Sequence, residues 1–383
     1  MKVSASPPLA GVRIIELAGI GPGPFAGMML ADLGAEVICV DRPGGNPWAV
    51  SGHSIMFRSR RFVSLDLKSE QGAEAVRALC KDADGVIETF RPGVAERLGV
   101  GPKECMAVNP KLVYGRMTGW GQEGPMAQLP GHDINYIALT GALHAIGRKG
   151  EPPVPPLNLV GDFGGGGMLL AVGMLAGLMS ARTTGTGRIV DAAMIDGVSA
   201  LMAMFHCLHS EGTFTADRGT HLLDSGAFFY DVYQTKDRDW VSIGAIESQF
   251  WTELCDALDL PDIVRNSQFD SARWDESRSI LGAKIASYDR AELDELFAGR
   301  NTCYAPVLDL ASAPQHPHHR ARNTFVQVDG VVQAAPAPRF DGLPPTMPTV
   351  RRSPGADTRA VLREIGYSAG QIDELITSGA ASD

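Results

Sequence analysis

The chain lacks the features of several broad protein classes. Its six cysteines, Cys39, Cys80, Cys105, Cys207, Cys255 and Cys303, are scattered, with no CxxC pair and no histidine at metal-ligand spacing. A zinc site or disulfide framework is therefore not expected, and the cysteines read as small core residues of a reducing compartment. Positive charge is also scarce: 34 Lys and Arg stand against 44 Asp and Glu, a formal net charge of −10. That argues against general affinity for nucleic acid or an anionic membrane, since both need a positive surface. No stretch supplies the roughly 18 uninterrupted apolar residues of a membrane helix, and residues 1–9 carry no apolar signal run. The expectation is a cytoplasmic protein with no membrane or nucleic-acid partner.

What is present suits a folded enzyme-sized chain. Hydrophobic residues make up 44% and charged residues 20% of 383 positions, which exceeds one ordinary core and predicts more than one domain. From residue 12 onward, short β-branched runs alternate with helical stretches. Strands are predicted at 12–17, 36–41, 62–67, 85–90 and 112–117, with helices at 24–33 and 69–80, the pattern of a Rossmann-like doubly wound α/β sheet. A helix is expected at 132–143, a strand at 157–160, a buried helix at 168–180 and a strand at 188–195. After residue 220 the character changes to two strands, 228–234 and 240–246, and helices from 248 and 291, a smaller α+β domain. The domain expectation is residues 1–200 for the large domain, 220–325 for the small one, and 330–383 returning to the first through a Pro-rich connector, 336–354, and a helix from 358.

Two features point to a ligand. Gly21-Pro22-Gly23-Pro24-Phe25-Ala26 follows a strand and opens a helix, with Asp41 further on, and so matches a dinucleotide fingerprint. Pro22 and Pro24 have no N–H, however, which removes two donors from any diphosphate cradle; the bland alternative is a tight strand-to-helix turn. The second feature is a set of cations, Arg42, Arg58, Arg60, Arg61, Lys68, Arg91 and Arg97, at or near predicted strand ends, where ligands bind such sheets. They suit a phosphorylated adenosine carrier such as CoA, or are solvated surface arginines.

Seven ordered motifs carry a resemblance. They are the Gly19–Pro24 turn, Asp41-Arg42-Pro43, Leu65-Asp66-Leu67-Lys68, Phe90-Arg91-Pro92-Gly93, Met117-Thr118-Gly119-Trp120-Gly121, Gly131-His132-Asp133-Ile134-Asn135-Tyr136 and Gly161-Asp162 with the glycines behind it. Together they resemble the family III CoA-transferase superfamily and, within it, the α-methylacyl-CoA racemases. The resemblance implies an interlocked homodimer, with the active site between the large domain of one chain and the small domain of its partner. It implies a CoA site at Arg42, Leu65, Asp66, Leu67, Lys68, Thr89, Phe90, Arg91, Arg97 and residues Gly131, His132, Asp133, Ile134, Asn135 and Tyr136. It implies His132 and Asp162 as catalytic bases, with Glu247 polarising His132. No metal or redox cofactor is expected, CoA being part of the substrate.

Asp162 alone does not choose the reaction, because transferases of the superfamily use the matching aspartate as a nucleophile. Transferases of the formyl-CoA type carry Gln where Gly21 stands, Tyr where His132 stands and a glycine-rich loop near 244–249, and this chain differs at all three. Racemisation needs bases on both faces of the α-carbon and donors for the enolate oxygen. The expected donors are backbone amides at the glycine-rich start of the 168–180 helix, with Asp162 at that helix N-terminus. A CoA-transferase and a non-catalytic acyl-CoA-binding protein remain the alternatives.

Overall fold

The computed structural model describes residues 6–45, 55–343, 346–350 and 352–383. Pro344, Pro345 and Arg351 of the Pro-rich connector lie outside the described residues. The chain divides into two units, the first formed by residues 1–140, 157–202 and 323–383, the second by residues 141–156 and 203–322. Residues 141–156, which the sequence places in the large domain, group with the second unit.

The first unit is built on strands β1 (Arg13–Leu17), β2 (Glu36–Asp41), β3 (Arg60–Leu65), β4 (Gly85–Glu88), β5 (Val113–Thr118) and β6 (Ile189–Ala193). Together with a C-terminal strand β12 (Ala381–Ser382), they form one sheet in the order β12-β3-β2-β1-β4-β5-β6. β12 runs antiparallel to β3, and the rest of the pairings are parallel. The order 3-2-1-4-5-6 is that of a doubly wound sheet and bears out the α/β expectation. The central strands read as unbroken apolar runs because helices cover both faces: all four residues of β4 are buried. Helix α1 (Pro22–Asp32) follows β1. Helix α2 (Glu70–Cys80) starts where Ser69 accepts the Gly72 amide and buries Ala73, Val76, Leu79 and Cys80 along one face.

Three sequence expectations change. The helix expected at 132–143 is α3 (Asp133–Leu139), and the chain turns at Gly141, which has φ 83°. The strand expected at 188–195 ends at Ala193 and leads directly into α5 (Met194–Leu201). The strand expected at 157–160 does not form; a π-helical segment, Leu159–Met168, runs without a break into α4 (Leu169–Thr184). The combined helix has 26 residues and a mean hydropathy of 1.6 over its most apolar window, so one segment is long and apolar enough to cross a membrane. It lies on the sheet: a Cβ on Gly85 or Gly115 would come 2.6 Å from the Met174 side chain, so these two strand glycines let α4 approach β4 and β5 closely.

The glycine tract makes the π segment possible by packing. A Cβ on Gly165 would lie 2.7 Å from the Val198 backbone nitrogen in α5, and one on Gly167 would lie 2.8 Å from the Pro22 carbonyl oxygen in α1. The segment is therefore wedged backbone-to-backbone between two neighbours. After hairpin β10 (Phe325–Val328) and β11 (Val331–Ala334), helices α9 (Thr358–Glu364) and α10 (Ala369–Thr377) bury Val361, Leu362, Ile372 and Leu375 in the core on α2's side of the sheet.

The second unit holds an antiparallel sheet of β7 (Tyr230–Gln234), β8 (Trp240–Gly244) and a third strand not anticipated, β9 (Tyr304–Pro306). Helices α6 (Ser248–Ala257), α7 (Trp274–Ile285) and α8 (Arg290–Phe297) complete it. Phe228 and Phe229 pack their rings on Trp251 at centroid distances of 5.3 and 6.1 Å.

Candidate active site

In a doubly wound sheet the ligand crevice opens where the strand order reverses, between the C-terminal ends of β1 and β4. The two loops leaving these strands are fitted to each other. A Cβ on Gly19 or on Gly23 would overlap the side chain of Thr89, just past β4, so these glycines seat Thr89. Gly21 lies between them with φ 64°, and a Cβ there would sit 3.0 Å from Asp162 Oδ2. The glycines of the fingerprint thus serve side-chain packing across the crevice.

A cavity of about 340 Å³ occupies this position. It is lined by Gly21, Thr89, Phe90, Arg91, Gly131, His132, Tyr136 and Asp162, and its apolar wall includes Met117, Trp120 and Met194. A second cavity of about 620 Å³ lies along the ends of β2 and β3 and is lined by Arg42, Leu65, Asp66, Leu67 and Lys68. Phe90 lines both. The structure therefore brings most of the expected residues to two cavities with a shared wall; Arg97, Asp133, Ile134 and Asn135 line neither.

The basic cluster divides. Arg58 pairs with Asp32 and also donates to Gln333, Arg60 pairs with the fully buried Glu16 at 2.6 Å, and Arg61 pairs with Glu36 and Glu364. These three are spent on the fold: Arg58 and Arg60 are buried, where a guanidinium must be paired, and the part-exposed Arg61 is held between two carboxylates. Arg42, Lys68 and Arg91 face the cavities.

Asp162 lies in the first turn of the π segment, half-buried. Oδ2 accepts the Asn158 amide at 3.0 Å, and the Asp162 backbone N–H donates to Asp133 Oδ1 at 2.7 Å. Burial raises the carboxyl above its ordinary pKa and the charge of Asp133 adds to that, while the Asn158 amide and His132 oppose it. His132 precedes α3 and is exposed; its backbone N–H donates to Asn135 Oδ1 at 3.1 Å, which fixes the start of the helix. Tyr136 Oη donates to the Gly131 carbonyl, and its ring meets Trp120 edge-on at 4.7 Å, a platform under the backbone that leads into His132.

The glycine amides that the sequence offers as donors lie inside the helix. In a π-helix each amide donates to the carbonyl five residues back, as Phe163 does to Asn158 at 3.3 Å, so the glycine amides that follow are committed within the helix. The expectation that Asp162 stands at a helix N-terminus holds, but the helix begins at Leu159.

Sequence reasoning missed Asn158, whose position four residues before Asp162 was readable only once the segment was known to be helical. It also missed Glu88 and Arg116. Glu88, fully buried at the end of β4, accepts the Phe90 amide at 2.6 Å and Arg116 Nε at 2.9 Å, and Arg116 also pairs with Glu96. Burial pushes the Glu88 carboxyl up to about 7 against the pull of these donors. Glu88 thereby holds the loop carrying Thr89, Phe90 and Arg91. Glu247 belongs to the second unit, exposed at the start of α6, where the buried Gln268 amide holds the preceding turn through the carbonyls of Ala245 and Ile246.

A family model described as CoA-transferase family III matches residues 9–358. The chain is 41% identical over 372 residues to the alpha-methylacyl-CoA racemase of Mus musculus and 39% identical over 370 residues to that of Homo sapiens, covering 96% of this chain and 96% of the relative in both cases. Among solved structures, a CAIB/BAIF family protein from Brucella suis superposes with a TM-score of 0.80 at 25% identity, over 94% of this chain and 100% of that one. With its doubly wound sheet, its switch-point cavity and a family match over most of its length, the chain belongs to CoA-transferase family III.

Proposed function

We propose that the chain is an α-methylacyl-CoA racemase, interconverting (2R)- and (2S)-2-methylacyl-CoA by moving a proton on and off the α-carbon. The observation that carries this reading is that His132 and Asp162 line one cavity, with the Asp162 carboxyl raised by burial. A carboxyl so raised can act as base in one direction and as proton donor in the other, which a two-base racemase requires. One base removes the α-proton and leaves an enolate; the protonated partner returns a proton to the opposite face.

CoA would lie along the second cavity, with Arg42 and Lys68 meeting its phosphates and Phe90 marking the passage to the thioester. The apolar wall of Met117, Trp120 and Met194 suits a branched acyl group. No metal or redox group enters this chemistry. The working enzyme is an interlocked homodimer in which the partner's Glu247 polarises His132. Exposed apolar side chains on the first unit, Leu139, Leu157, Leu159, Val172 and Met179, support burial against a second copy. The six free thiols suit the reducing cytoplasm.

Hydroxylamine trapping during turnover separates this reading from CoA transfer. A racemase yields no hydroxamate at Asp162, whereas an Asp162 hydroxamate formed in the presence of acyl-CoA would identify a mixed anhydride and overturn the proposal.

A further inference from the structure

Asp133 adjoins His132 but does not line the cavity, and it is only 7% exposed. Its Oδ1 accepts the Asp162 backbone N–H at 2.7 Å. Its Oδ2 is enclosed without a hydrogen-bond partner among the described residues. A buried carboxylate left half-satisfied is costly, and such groups call for an explanation beyond packing. The opposite wall is cut to admit it, because a Cβ on Gly161 would overlap Asp133 Oδ1. The carboxyl thus bridges the two elements that bear His132 and Asp162.

We infer that Asp133 is a positioning residue: its carboxyl ties the Asp162 backbone to α3 and so keeps the two proton-transfer groups in register. This assignment replaces a CoA contact for Asp133, and it rests on the racemase reading above. Asp133 also acts on Asp162 through charge. The groups facing the Asp162 carboxyl are Asn158 on its own segment, and His132, Asp133 and the Tyr136 hydroxyl from α3; of these, Asp133 opposes ionisation.

Two substitutions separate the hydrogen bond from the charge. Asp133→Asn keeps an acceptor for the Asp162 amide and loses the charge; Asp133→Ala loses both. Epimerisation of a 2-methylacyl-CoA is followed across pH, with thermal melts and calorimetric CoA binding on the same samples. Asp133→Ala is expected to lower kcat by about tenfold or more with KM within about twofold, since misplacing a reacting group costs rate and not binding. Asp133→Asn is expected to recover most of kcat while the limb of the pH profile that follows Asp162 moves to lower pH by up to ~1 unit. If Asp133→Ala does not fold, the pH profile of Asp133→Asn decides. Wild-type kcat and an unmoved profile in the variants, or a loss confined to KM and CoA affinity, would overturn the inference. Absence of epimerisation in the wild type would instead refute the racemase reading, and the inference with it.

Discussion

Gly21 sets how near Asp162 can stand to the crevice wall. Replacing it with Ala places a methyl group 3.0 Å from Asp162 Oδ2 at φ 64°, ψ −116°, outside the left-handed helical region and costing an L-residue roughly 1–3 kcal/mol. Gly21→Ala is expected to lower kcat at least ~tenfold while costing only a few degrees in melting temperature, measured by steady-state kinetics and calorimetry. His132→Ala and Asp162→Asn are each expected to lose on the order of 10²–10⁴ in kcat. Asp162 also leaves a mark on stability. Its folded pKa lies above the ordinary 3.8, so just above that value the native chain keeps a proton that the unfolded chain has released. Stability therefore falls as pH rises from there through the folded pKa. In melts from pH 3 to pH 7, Asp162→Asn should gain on the wild type as pH rises, and a pH-independent difference would contradict the burial argument.

The π segment and the loop after β4 each hang on one device. A Cβ on Gly165 would lie 2.6 Å from Val198 Cγ2 and 2.7 Å from the Val198 backbone nitrogen, and the helix backbone cannot rotate aside as a side chain can, so Gly165→Ala is expected to destabilise by roughly 3 kcal/mol or more in denaturant melts. Glu88→Gln removes the carboxylate that holds the Phe90 amide and Arg116. The expected result is a KM for acyl-CoA raised ~tenfold with kcat nearly unchanged, because the loop binds and does not react. The same elements explain what was readable from sequence. Strands β1 to β5 are covered on both faces, so their β-branched runs stand out without alternation. The 159–168 helix was unreadable because each glycine in a helix costs about 1 kcal/mol by propensity, and only the contacts with α1 and α5 offset that. Glu88 and Arg116 gave no local signal; they are 28 residues apart and meet only because β4 and β5 are neighbours.

At the scale of the whole molecule, the site is proposed to be shared between two chains. Co-expression of His132→Ala chains with Glu247→Ala chains tests this. In a heterodimer of that kind one of the two shared sites regains both residues, and activity should return to a substantial fraction of wild type. If each site were built from a single chain, every site in the heterodimer would lack one residue and no activity would return. The motifs bearing His132 and Asp162 were legible as an ordered set, whereas the roles of Asn158 and Asp133 required the helix geometry that brings them to Asp162. The most direct measurement is α-proton exchange in heavy water, starting separately from the (2R) and (2S) thioesters. Two opposed bases predict deuterium at the α-carbon and inversion from either epimer, and in Asp162→Asn loss of inversion with deuterium uptake left only from the epimer whose α-proton faces His132; CoA exchange between acyl donors without deuterium uptake would contradict the account.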